Sequence, residues 1–84
     1  MENLIEYEYI KRIKDLREDS DYTQEYVAAY LGTSQTMYAR YERGANELPL
    51  RHFVMLCRLY NLSADELLGT KPDPRHPRGK ANGI

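Results

Sequence analysis

The chain has no tryptophan, one phenylalanine and one cysteine among its 84 residues. It also has no apolar run that approaches the length needed to span a bilayer, so no membrane association is expected. The lone Cys57 excludes an internal disulfide, and neither His52 nor His76 has ligand partners at the spacing a zinc site needs. A reducing, cytoplasmic setting is the expectation. The opening segment carries Glu2, Glu6 and Glu8 where a secretory signal would be basic, which reads as an unprocessed chain. A nucleophile–base pair, a metal cluster and a glycine-rich phosphate loop are all missing, so neither enzymatic activity nor a cofactor is expected. Basic charge is not in surplus either: 12 Lys and Arg stand against 13 Asp and Glu, a net charge of −1. Nucleic-acid binders are usually basic, so such a role would have to rest on where the charge lies. Acidic residues crowd Glu18, Asp19, Asp21 and Glu25, whereas Arg40, Arg43, Lys71, Arg75, Arg78 and Lys80 come later.

What is present is helical periodicity. Ile5, Tyr9, Ile13 and Leu16 recur at the spacing of one helix face, and the polar run Glu18–Asp21 ends that helix. Thr23 is an N-cap candidate ahead of the inward stripe Val27, Ala28 and Leu31, and Gly32 closes the second helix with positive φ. Only Gly32 and Thr33 separate it from the next cap, Ser34, so two short helices must cross sharply at a tight turn. The third helix runs from Ser34 to about Arg43 and is closed by Gly44; the loop that follows ends in Pro49, which suits the first turn of a helix. Leu50, Phe53, Val54, Cys57 and Tyr60 form the stripe of a fourth helix, with Cys57 as a small core residue. Ser63 and Glu66 form a capping box for a fifth helix that ends at Gly69. From Thr70 the composition turns to Pro72, Pro74, Pro77, Gly79 and Gly83 among basic and polar residues. The expectation is therefore an all-α fold: a compact five-helix domain over 1–69, with a helix-turn-helix at 23–43, and a flexible, disordered basic tail over 70–84.

At 100° per residue the third helix divides cleanly. Met37, Tyr38 and Tyr41 fall on one side; Gln35, Thr36, Ala39, Arg40 and Arg43 fall on the other. A helix that enters the DNA major groove needs such a pair of faces, one apolar for anchorage and one able to hydrogen-bond base edges. Gln35 suits adenine, Arg40 suits the N7 and O6 of guanine, and Thr36 offers a hydroxyl or a methyl to thymine. Ser34, Gln24 and Arg43 suit phosphate, Gln24 because it opens the second helix, where free amides and the helix dipole favour an anion. Periodicity alone leaves the commoner alternative open, that this polar face is simply solvated.

The segments "RIKDLRED", "YTQEYVAAYLGTSQTMYARYERG" and "ELPLRHFVMLCRLYNLSADELLG" together resemble the Cro/C1-type helix-turn-helix family, also called XRE, of phage repressors and bacterial regulators. The resemblance covers about Arg12 to Gly69 and implies a lambda-repressor-like fold. It further implies a transcriptional regulator, with a repressor as the expected kind, that binds a partly palindromic double-stranded DNA operator as a homodimer. Carried onto this chain, it implies base contact by Gln35, Thr36 and Arg40, phosphate contact by Gln24, Ser34 and Arg43, and a structural ion pair between Arg17 and Glu42. The loop after the third helix departs from the family pattern: Ala45, Asn46 and Glu47 stand where Lys or Arg is common. Asn46 is the weaker substitute for a phosphate contact there, beside Arg51. The acidic balance and the Tyr26/Tyr30 pair favour an alternative, an antitoxin or adaptor whose main role is to hold a protein partner.

Overall fold

The computed structural model describes residues 4–69 and residue 75, with side chains described from Glu8 onward. The readings of residues 1–3, of the Ile5 side chain and of the 70–84 tail lie outside the described residues. Five helices follow one another: α1 (Leu4–Asp19), α2 (Gln24–Leu31), α3 (Gln35–Arg43), α4 (Leu50–Tyr60) and α5 (Ala64–Leu68). No strand is present among the described residues.

The helix ends are set by local chemistry. Beyond the end of α1, Asp21 takes a left-handed φ of 59°, a conformation that a short polar side chain tolerates, and the Tyr22 amide reaches back to the Arg17 carbonyl at 3.0 Å. The Thr23 hydroxyl accepts from the Tyr26 amide, and the Ser34 hydroxyl from the Met37 amide, each at 3.0 Å. Both capping-box bonds exist at α5: Ser63 Oγ accepts from the Glu66 amide, and a Glu66 carboxylate oxygen accepts from the Ser63 amide. Pro49 is the cap residue ahead of α4, one position before the first turn, and supplies no side-chain hydrogen bond.

One core joins all five helices. Ile13 of α1, Val27 of α2, Tyr38 of α3, Leu56 of α4 and Leu67 of α5 are fully buried, with Ala28, Leu31, Tyr41 and Phe53 around them. The Tyr38 and Tyr41 rings meet edge to face at 6.1 Å, the preferred geometry of an aromatic pair. The back of α3 is thereby fixed to the rest of the protein, and α2 and α1 are its main neighbours.

The fourth helix corrects the sequence reading. Its buried residues are His52, Phe53 and Leu56, whereas Leu50 is 75% exposed and Val54 46%. Apolar residues lie almost all round this helix, so its stripe is chosen by what packs against it. His52 takes a core place because its Nδ1 lies 3.1 Å from the buried Tyr41 hydroxyl. Burial, aided by the Arg51 charge nearby, holds the His52 imidazole below its ordinary pKa and therefore neutral. Cys57 is partly buried against the core, and burial raises the pKa of its thiol, as for an inert packing residue. Tyr26 and Tyr30 stand on the outer surface of α2, where the Tyr26 ring stacks on Tyr22 at 4.6 Å.

Candidate nucleic-acid interface

The tight turn places the N-termini of α2 and α3 side by side. Gly32 makes the turn in the left-handed region at φ 77°, where only glycine is unstrained, and the Gly32 and Thr33 amides close the end of α2 on the Ala29 and Ala28 carbonyls. Across the gap the first residue of each helix meets the other: Gln35 Nε2 donates to Gln24 Oε1 at 3.0 Å. Gln24 in turn donates from its own Nε2 to Glu42 Oε1, also at 3.0 Å.

Glu42 anchors this chain of bonds. Its side chain is 3% exposed and takes Arg17 in a two-pronged pair, Nε to Oε2 at 2.7 Å and Nη2 to Oε1 at 3.1 Å. The remaining Arg17 nitrogen, Nη1, donates to the Tyr22 carbonyl at 3.0 Å and ties the α1–α2 turn to α3. Burial pushes the Glu42 carboxyl up, but the bonds from Arg17 and Gln24, with the Tyr38 hydroxyl beside it, outweigh burial and hold its pKa below the ordinary value. The bond to Glu42 raises Arg17 correspondingly. Burial first, and then the Glu42 carboxylate beside it, drive the Tyr38 phenol well above its ordinary pKa; the buried hydroxyl lies by that carboxylate without a well-aligned hydrogen bond to any described residue.

The direction of these bonds has a chemical consequence. An ionised carboxylate only accepts, so the Gln24 amide must turn its NH2 group inward and its carbonyl oxygen toward Gln35. Gln35 then spends one N–H on Gln24 and keeps the other, together with its own carbonyl oxygen, for an outside partner. One donor and one acceptor side by side is what the major-groove edge of adenine matches.

Further along α3, Thr36, Arg40 and Arg43 are exposed and Ala39 is half-buried, on the side away from the Tyr38–Tyr41 anchor. Arg40 and Arg43 form no ion pair among the described residues, which leaves two unneutralised cations on this face. Ser34 is exposed, and its hydroxyl proton remains free to donate while its oxygen caps the helix. Asn46 has a partner that the sequence reading did not give it: its Oδ1 accepts from Arg40 Nε, so the loop after α3 is tied to the exposed face of that helix. Neither that contact nor the Gln24–Glu42 bond was legible beforehand. Their only signal is a polar side chain at the end of a helix, which many sequences share.

A helix-turn-helix family model matches residues 13–67. The chain is 36% identical over 66 residues to YobD of Bacillus subtilis strain 168, which bears the name of an uncharacterised HTH-type transcriptional regulator; the match covers 79% of this chain and 59% of that protein. It is 35% identical over 60 residues to the HTH-type transcriptional regulator AnsR of the same strain, across 71% of this chain and 52% of the relative. The chain thus spans a little over half the length of these relatives.

Proposed function

The chain belongs to the Cro/C1-type, or XRE, helix-turn-helix family, and from that premise we propose that it is a sequence-specific, DNA-binding transcriptional regulator. Its α3 lies in the major groove of a double-stranded operator. Gln35, Thr36 and Arg40 read base edges, and Gln24, Ser34 and Arg43 hold the phosphate backbone, Gln24 through its backbone amide at the start of α2, because its side-chain NH2 is given to Glu42. Two copies bind a partly palindromic site as a homodimer, the action is repression by occupancy, and the setting is the cytoplasm. Residues 1–69 form the binding domain, followed by the basic segment 70–84. Among the described residues no helix is long and apolar enough to cross a membrane.

One observation carries the reading: α3 has a buried aromatic back and an exposed front of Gln35, Thr36, Arg40 and Arg43. A merely solvated face does not need its first side chain held in one orientation, as Gln35 is through Gln24 by the buried Glu42 carboxylate. Rigid donors and acceptors lower the ordering cost of binding and favour discrimination between bases. Local charge also supports it, since Arg40 and Arg43 supply positive potential at this face in spite of the acidic total.

Selection of bound sequences from a random DNA pool tests the proposal. The expected product is a palindrome whose half-sites lie about one helical turn, roughly 34 Å, apart. Failure to enrich any sequence would refute it. The exposed Tyr26, Tyr30 and Leu50 support a second reading, an antitoxin or adaptor that holds a protein partner. A stoichiometric protein that co-purifies while the selection yields nothing would favour that reading.

A further inference from the structure

We propose that Asn46 is a positioning residue for Arg40: it holds the guanidinium from behind, so that the arginine meets a guanine already oriented end-on. This rests on the reading of Arg40 as a base contact and adds which residue makes that contact selective.

The backbone puts Asn46 in place. Gly44 closes α3 in the left-handed region at φ 76°, and the amides of Ala45 and Asn46 both turn back to the Arg40 carbonyl, at 2.9 and 3.4 Å. The chain therefore doubles under the last turn of α3 and delivers residue 46 beside residue 40. The positive φ favours glycine at 44, and an added Cβ would also sit tightly, 3.1 Å from Ile10 Cδ1. From that seat Asn46 Oδ1 accepts the Arg40 Nε–H. Arginine is donor-only, so the asparagine must present its oxygen, and the bond fixes both planar groups.

The chemistry follows from which donor is used up. A guanidinium can meet guanine side-on, through Nε and one Nη, or end-on, through both Nη groups. With Nε–H given to Asn46, only the end-on fork remains, and its two parallel N–H bonds match guanine O6 and N7. A free arginine would have to lose its rotamer freedom at the moment of binding, and it could adapt to other base edges. Held by Asn46, it has lost part of that freedom beforehand. Only the asparagine oxygen is committed to the arginine; its Nδ2 can still donate to a phosphate, so the two roles are told apart by measurement.

Two measurements on the 84-residue chain test the proposal. In the first, Arg40→Ala identifies the base position that Arg40 reads, as the one that relaxes in competition binding. Asn46→Ala should then lower discrimination at that same position by about two- to tenfold, the cost of ordering one long side chain on binding. Asn46→Asp, which keeps an acceptor oxygen, should retain the discrimination even though its charge weakens binding to every sequence. The double variant should lose no more discrimination than Arg40→Ala alone. In the second, the Arg40 Nε–H resonance of the protein without DNA should show a protected, shifted proton. Asn46→Ala should abolish that signature and Asn46→Asp preserve it.

A uniform loss across all sequences with Asn46→Ala, accompanied by a shallower salt dependence, would overturn the proposal in favour of a phosphate contact. Equal loss of discrimination in Asn46→Ala and Asn46→Asp would overturn it too. An Arg40 Nε–H that is indifferent to Asn46→Ala would do the same. If Arg40→Ala relaxes no position, the base-reading role of Arg40 itself fails, and Asn46 has no reader to position.

Discussion

The two ends of α3 are held in different ways. At the N-terminal end, Gln35 is the last member of a chain that runs through Gln24 to the buried Glu42–Arg17 pair. At the C-terminal end, Arg40 is held among the described residues by one half-buried partner, Asn46 of the following loop, through an exposed contact. Both arrangements orient a long polar side chain, but only the first is shared with the fold. A buried pair that loses one partner leaves an uncompensated charge, whereas an exposed contact that is lost is replaced by water. Damage to the first end should therefore appear as instability, and damage to the second as altered recognition in a protein of unchanged stability.

The largest effect should come from Glu42→Ala, which strands Arg17 and releases Gln24. A loss of about 3–5 kcal/mol in denaturant unfolding is expected, against less than about 0.5 kcal/mol for Asn46→Ala. Similar losses for the two would erase the distinction.

Acid should separate the buried Glu42 pair from the buried Tyr41–His52 contact that fixes the back of α3. His52 is held below its ordinary pKa of 6.5, so its contribution to stability is complete above that pH and declines as pH falls below it. Glu42 is held below its ordinary 4.5, so its contribution is complete above that value and is lost as pH falls through the lower folded pKa. Thermal midpoints should accordingly fall in two stages, and His52→Gln should remove the upper one only.

Smaller effects belong to the reading face. Arg40→Ala should weaken the cognate site by about 1–3 kcal/mol and relax one base position. Arg43→Ala should weaken all sequences alike and reduce the salt slope by about one, without a change in preference. A salt titration in which the two variants behave identically would remove the division between base and phosphate contacts.

How far the sequence reveals this molecule depends on the range of the physics involved. The caps at Thr23, Ser34 and Ser63 and the closing glycines at 32, 44 and 69 are local, and they are readable as short patterns. The two faces of α3 are readable as well, because its buried Tyr38 and Tyr41 contrast sharply with Gln35, Thr36, Arg40 and Arg43. The face of α4 is not, because Leu50, Val54, Phe53 and Leu56 are all apolar and only tertiary packing chooses among them. The Tyr41–His52 contact is equally hidden, since it joins two helices across a loop. For the candidate site, residue types pick out Gln24, Gln35, Arg40 and Asn46, but which of them touch each other depends on the crossing of α2 with α3 and on the Gly44 turn.

The central claim is that the front of α3 reads DNA from the major groove. Replacing the guanine at the Arg40-sensitive position of a selected operator tests it most directly, by 7-deazaguanine, which lacks the major-groove N7, or by hypoxanthine, which lacks the minor-groove amino group. The first should weaken binding, and the Arg40→Ala variant should no longer sense it, while the second should have little effect. Loss of binding with hypoxanthine and indifference to 7-deazaguanine would put the contact in the minor groove and rule out this role for α3.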